Sequence, residues 1–446
     1  MSSAVEPALV GVATVDITPP VGTLMAGFAV RVEPSAAVHD PLFATAVAVT
    51  HADSVSIIVT CDLISLDLAD AATISRRIAD DLGIPDQSVA VSVSHTHGGP
   101  KVKAVGFGAG RDERYVESAF AGIVDAAKRA WKARRPGWLR SGTARLDSVA
   151  HNRRGTEVID PLVFAIQWTD EADSPIVTIF SHACHPVTLG PDNLSITADW
   201  PGAARAHVRE SIGGEVMFVQ GCCGQLNTGH LATDSFTGEP DAKRTFAAAA
   251  SIGARVGDGV ERALRAADPV PVTDVIARSR QVWLPMRPTP DAATLREWAR
   301  EWTLEAAATH GPRRTLLTTW IEWARYWRDR PSPGGLEVPI SAHWWGAVGV
   351  VMLPGEPFVE FALEIRRELR RPDLLVMGYT GGVPGYIPLR AEDYAAGGYE
   401  IEMAYRSSRL FSGPYLPSAG PVLLEAALEL ARESVADRPG GLRRTR

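Results

Sequence analysis

Val91-Ser-Val-Ser-His-Thr-His-Gly-Gly-Pro100 closes a strand–helix–strand unit that begins at Val55-Ser-Ile-Ile-Val-Thr-Cys61. The first run is apolar and of strand length, which suits a sheet covered on both faces. Between the runs, Ile74, Ile78 and Leu82 keep helical register, with Asp70 as the predicted N-cap and Gly83 as the stop. The alternation of Val and Ser predicts a strand over 88–94, so His95 and His97 arrive at its carboxyl edge, where open α/β sheets gather ligands. If the strand runs on, residues two apart share a face, and the two imidazoles form a pair that a metal or a substrate can use. Loop histidines with ordinary hydrogen bonds carry the same pattern, so the pair alone settles nothing.

Working outward, strands are predicted at Phe43–Thr50, Leu162–Trp168, Ile176–Ser181, Val216–Val219, Ala347–Leu353 and 374–377. Helices are predicted at Glu113–Arg134, from Asp199-Trp-Pro201 to about Ser211, after Pro354-Gly-Glu-Pro357, and near Pro421–Val435. Strands alternate with helices to the end of the chain. The prediction is one α/β domain over 1–446, a mixed β-sheet core flanked by helices in a layered α/β sandwich. Residues 283–345 differ in character, because eight of the twelve tryptophans fall there. Trp298 and Trp302, then Trp320, Trp323 and Trp327, keep helical spacing, which predicts a Trp-rich helical insertion of two helices joined near Gly311-Pro312. Packing surface is the plain explanation of such a stripe; an aromatic pocket wall is the functional one.

The formal charge of −7 gives no support to nucleic-acid binding, and the Arg-rich tail, Arg438–Arg446, is short. No apolar run is long enough to span a bilayer, and the first residues lack a basic segment leading into an apolar core, so a cytoplasmic protein is expected. Cys61, Cys184, Cys222 and Cys223 are too few and too irregularly spaced for a disulfide framework or a Cys-x-x-Cys zinc site, so buried thiols are expected. Nothing in the sequence gives the oligomeric state.

Several ordered motifs go together. Asp16-Ile-Thr-Pro-Pro-Val-Gly22, His39-Asp-Pro-Leu-Phe-Ala44, Ser94-His-Thr-His-Gly-Gly-Pro100, Asn152-Arg153, His185-Pro186, Pro354-Gly-Glu356, Gly385-Tyr386 and Tyr399-Glu400 occur in that order. In this the chain resembles the neutral/alkaline ceramidase family over roughly residues 8–430, without a counterpart of the immunoglobulin-like C-terminal domain of full ceramidases. The resemblance implies Zn2+ held by His95, His185, Glu356 and Tyr386, with His97, Arg153 and Tyr399 facing the substrate carbonyl. Read without it, His185 ends a strand, Glu356 suits a helix N-terminus, Tyr386 and Tyr399 are loop aromatics, and Arg153 is a surface charge.

One departure bears on chemistry. Ceramidases of this family carry a serine nucleophile in a Gly-x-x-Ser-Pro-Asn loop, and the matching stretch here, Gly224-Gln-Leu-Asn227-Thr-Gly229, has Asn227 in its place. An amide can hydrogen-bond but cannot attack a carbonyl. Zinc can replace that nucleophile by lowering the pKa of its water toward ~7. The expected activity is therefore a zinc-dependent hydrolase cleaving an amide, lactam or related acyl bond of a small molecule with an apolar or aromatic part. A lactonase or esterase, a true ceramidase, and a non-catalytic binding protein of the same fold are the alternatives. Asn227 and Asp199 are the candidate substrate-binding groups, Asp199 having a second reading as a helix N-cap. Cys222 or Cys223 as nucleophile is set aside, because no activating histidine adjoins them.

Overall fold

The computed structural model describes residues 7–107, 110–232 and 241–436; the Arg438–Arg446 tail lies outside them. A large mixed sheet runs in the order Glu215–Phe218, Pro175–His182, Leu162–Thr169, Arg135–Arg145, Ala8–Asp16, Phe43–His51, Ser54–Cys61, Val89–Val93, with Asp268–Val270 added beside Arg135–Arg145. A second sheet holds Val275–Pro285, Gly335–Trp345, Val348–Met352 and Leu375–Met377. Their facing sides share a core in which Val47, Val49, Ile58 and Phe164 of the first sheet meet Trp345, Val350 and Met352 of the second. Helices cover both outer faces, so the order of layers is helix, sheet, sheet, helix.

The strand–helix–strand unit forms as its pattern predicts, with Ser54–Cys61 and Val89–Val93 parallel and Leu68–Leu82 between them. Gly83 closes that helix in the left-handed region at φ 65°. Its N-cap is Asp67 and not Asp70; Asp70 sits in the first turn and takes a 2.8 Å ion pair from Arg111. Three long strands, Arg135–Arg145, Val275–Pro285 and Gly335–Trp345, are absent from the sequence-based prediction.

Residues 283–345 divide into strand ends and a helical hairpin, Ala292–Ala308 and Gly311–Arg328. Its rings surround one guanidinium: Arg406 lies 4.9 Å from the centroid of Trp320, 5.3 Å from Trp302 and 5.7 Å from Trp298. These tryptophans pack against the short helical turn Ala404–Ser407 and do not face the cavity described below. Packing accounts for much of the aromatic stripe, while Trp298 and Trp320 also line a second cavity with Arg313 and Tyr405. No helix among the described residues is long and apolar enough to cross a membrane.

Candidate active site

The strand Val89–Val93 stops two residues before His95, because Ser94 N and His95 N turn to the carbonyls of Cys61 and Leu63. His95 itself is left-handed, at φ 66°. Such a conformation costs a non-glycine residue of order 1–3 kcal/mol and persists where surrounding contacts impose it. The expectation that strand alternation puts His95 and His97 on one face is corrected here. Their rings are 5.1 Å apart and nearly perpendicular, at 83°.

Turning the chain at His95 brings its ring to His185, with centroids 4.7 Å apart. His95 Nδ1 lies 2.6 Å from the Ile64 carbonyl, and His185 Nδ1 lies 2.8 and 2.9 Å from those of Cys223 and Leu226. Each ring therefore donates from Nδ1 and turns its Nε2 inward. Both Nε2 atoms approach one carboxylate oxygen, Glu356 Oε2, at 3.4 Å from His95 and 3.2 Å from His185. Glu356 is set there by a short parallel pairing of Glu356–Pro357 with Tyr386–Ile387, in which Glu356 and Tyr386 are direct partners. Gly355 makes that approach possible: it is left-handed at φ 68°, and a Cβ on it would lie 2.6 Å from the Gly385 carbonyl.

His97 is built differently. Neither of its ring nitrogens, both buried, has a hydrogen-bond partner. The ring is held by shape, edge-on to Phe28 at 5.2 Å and against Gly27, where a Cβ would come within 2.8 Å of the His97 Cβ. Arg31 fixes its backbone by donating to the His97 carbonyl at 2.7 Å, and also to that of Ala26.

Burial opposes ionisation of Glu356, but the two histidines beside it hold the carboxyl well below the usual range. Burial pushes His185 down to about 4, and burial together with the neighbouring histidines pushes His97 well below its ordinary value. Both rings are thus neutral near pH 7, the form that binds a cation or accepts a proton. Burial, then the Glu356 carboxylate, raises Tyr386 far above its usual value and Tyr399 to about 12.

His95, His97, Glu356, Tyr386 and Tyr399 line one cavity of about 140 Å3. Arg153, expected to face the substrate carbonyl, is not among the residues that line it. Its guanidinium is buried behind the tyrosines, 5.5 Å from the Tyr386 ring and 5.9 Å from that of Tyr399. It donates to Glu400 at 2.7 Å and to the Gly224 carbonyl at 2.9 Å. Arg154 takes the other Glu400 oxygen at 2.8 Å.

The two candidate substrate-binding groups also lie off the cavity. Asn227 spends its amide on a local turn, accepting from Gly229 N and donating to the His230 carbonyl. Asp199 accepts from Leu189 N and Trp200 N at the start of its helix, where it is the first helical residue rather than the cap. Cys222 and Cys223 are buried, and burial raises both thiols, which leaves them inert.

The donor set suits a zinc-like cation. Two imidazole nitrogens and a carboxylate converge, His95 Nε2 has no hydrogen bond, and the His95 and His185 rings are oriented from behind by carbonyls. Ring nitrogens of His95, His97 and His185 can all come within 4.8 Å of one another.

Residues 8–233 match the family described as neutral/alkaline non-lysosomal ceramidase, N-terminal. The chain belongs to that family. Membership makes it a hydrolase of ceramidase type. Two solved structures of ceramidases share its fold. Neutral ceramidase from Pseudomonas aeruginosa superposes with a TM-score of 0.73 at 21% identity, covering 96% of this chain and 75% of that one. A ceramidase complexed with C2 gives a TM-score of 0.72 at 19% identity, with coverage of 96% and 76%. No curated protein matches the chain in sequence.

Four side chains around this ceramidase-type site escaped the sequence reading. Tyr379 lies against His95 with ring centroids 4.4 Å apart at a tilt of 39°, and its hydroxyl reaches Cys223 Sγ at 3.2 Å. Glu400 couples Arg153 to Arg154, and the adjacent arginines were the available signal for a buried acid. Arg31 and Lys103 carried no signal beyond their charge.

Proposed function

We infer that this protein is a zinc-dependent hydrolase of a small acyl compound, an amide or lactam first, with His95, His185, Glu356 and Tyr386 holding the ion. One observation carries the reading: the three histidines differ in what stands behind them. Metal-binding histidines donate their second ring N–H to a fixed acceptor. His95 and His185 do so to backbone carbonyls, whereas His97 has no such partner. The first two are therefore ligands, and His97 is the ring free to serve the substrate.

When bound, zinc supplies Lewis-acid polarisation of a carbonyl and activation of water, so no serine is needed. His97 takes a proton at its open ring nitrogen and returns it to the leaving group. Its depressed pKa keeps it ready as a base at neutral pH. Tyr399, protonated at pH 7 with a pKa of about 12, donates its phenol hydrogen to the oxyanion. Arg153 is a positioning residue: paired with Glu400, it holds Tyr386 and Tyr399 from behind. Asn227 and Asp199 serve the local backbone.

The pocket has a volume of about 140 Å3, close to the ~150 Å3 that takes up a benzene molecule, which suits a small reacting group beside His95 and His97. Metal analysis of the purified protein, with turnover on a panel of amides, lactams, lactones and N-acyl amines, is the test. About one zinc per chain and hydrolysis of a small amide or lactam are expected. A folded protein that takes up no zinc overturns the reading, and exclusive turnover of lactones moves it to the esterase class.

A further inference from the structure

Lys103 lines the same cavity as His95, His97 and Glu356, yet the mechanism above gives it no part. Its side chain follows the Gly98-Gly99-Pro100 turn, and its amine donates to the Val383 carbonyl at 2.7 Å. That is the amine's hydrogen bond among the described residues; an ammonium has three donors, so two remain. Burial lowers the Lys103 pKa, while Asp67 and Glu356 pull it back up. No carboxylate makes an ion pair with it among the described residues.

Of the nearby acids, Glu400 and Glu356 are engaged, and Asp67 is engaged through Oδ2 alone, its buried Oδ1 having no hydrogen-bond partner. Both oxygens of Glu400 are taken by Arg153 and Arg154. Glu356 faces His95 and His185. Asp67 accepts from Ala104 N at 2.7 Å and Val105 N at 3.3 Å, which ties down the segment that carries Lys103. The half-buried ammonium at the cavity wall has one neutral acceptor and donors to spare, and a ligand anion satisfies them. One lysine is a point charge matched to a monoanion; a phosphate dianion would call for further cations, and none lines this part of the cavity.

We propose that Lys103 anchors a substrate carboxylate, so that the compound hydrolysed is a small amido acid whose acyl bond lies within a few bonds of a carboxylate. This rests on the hydrolase reading for the word hydrolysed but not for the anion site. The aromatic rings of Tyr405, Phe411 and Tyr415, on the same cavity wall, take the apolar part. Ceramide, which has no anionic group, would leave Lys103 unpaired.

The test uses the full chain as purified and two ketones that no hydrolase cleaves, β-benzoylpropionate and neutral butyrophenone, with binding measured by calorimetry. The acid is expected to bind about tenfold or more tightly than the neutral ketone, as a charge-assisted hydrogen bond predicts. In Lys103→Met the advantage disappears while butyrophenone binding persists, and Lys103→Arg restores part of it. Equal binding of the two ketones by the native protein overturns the anchor whether or not the variants fold. An acid preference that survives Lys103→Met overturns it as well, because the metal would then be the anchor. Acid-selective binding lost in Lys103→Met, with no turnover of any amide, keeps the anchor and sinks the hydrolase reading instead.

Discussion

His95, His97 and His185, and separately His207, Asp258 and Glu261, each bring three ligand atoms within 4.8 Å of one another. By spacing alone both groups qualify as cation sites. In both a histidine Nε2 faces a carboxylate, but they differ in burial and in what stands behind the rings. His207 Nε2 already meets Asp258 at 3.1 Å and Glu261 at 3.6 Å, and Glu261 also meets Arg265 at 3.3 Å. The Asp258 side chain is 56% exposed, so water completes that group. At the first site His95 Nε2 and both His97 ring nitrogens are buried without a hydrogen bond, and the carbonyls of Ile64, Cys223 and Leu226 fix which nitrogen of His95 and His185 points inward. The contrast shows that a metal site is recognised by what the donors lack and by what orients them, more than by how close they lie.

The largest effect should come from splitting the buried cluster. His95→Ala removes a ligand and should cost nearly all bound zinc together with about 10³-fold or more in turnover, several kcal/mol of lost Lewis-acid stabilisation. His97→Ala should keep the zinc and lose turnover by about 10²- to 10⁴-fold, the usual range for a proton carrier. Atomic absorption on both variants reads the difference. Zinc lost equally from the two would make His97 a third ligand and erase the division of labour.

A step down is the tyrosine wall. Tyr399→Phe removes one donor to the oxyanion and should lower kcat about 10²- to 10³-fold at unchanged KM and unchanged zinc content. A change in KM alone would mean that Tyr399 shapes the cavity and does not serve the chemistry.

How much of this was legible beforehand depended on the kind of signal. Ser54–Cys61 and Val89–Val93 announce themselves because a strand covered on both faces is a continuous apolar run. Arg135–Arg145 does not, since its arginines, glycines and single tryptophan carry no such run; neighbouring strands on both sides supply its partners. The site residues were found through ordered motifs resembling a family, and their geometry was out of reach. Glu356 meets Tyr386 through a two-residue pairing, and His95 meets His185 only because His95 leaves its strand in a left-handed turn. Glu400 stood in a quoted motif without a role, and Lys103 gave no signal, because sequence does not show which charged side chains pair or line a cavity.

Burial without convergence is the next comparison. His343 is as buried as the cluster, and its Nδ1 bonds Ser56 Oγ at 2.9 Å, but it stands outside both metal-type groups. Burial pushes it down to about 4 from an ordinary value near 6.5. The unfolded chain therefore binds more protons below pH 6.5, and the contribution to stability is present above that pH and lost as pH falls toward 4. The difference corresponds to about 3 kcal/mol. Urea unfolding at pH 7 and pH 4.5 should show a steeper loss in the native protein than in His343→Gln, with zinc content the same in both. Matching slopes would mean that His343 does not stay neutral in the fold.

The smallest effect should come from the exposed cluster. His207→Ala breaks contacts that are partly exposed, and such ion pairs contribute roughly 0–1 kcal/mol. Stability should therefore move by less than about 1 kcal/mol in urea unfolding. Zinc content and turnover should match the native protein, because no His207 contact reaches the cavity lined by His95 and Glu356. A second zinc per native chain, lost in His207→Ala, would break the comparison, since a group whose donors already satisfy one another would then have bound a metal. Equal zinc in both proteins would leave orientation and unmet donors as the features that separate a site from a cluster.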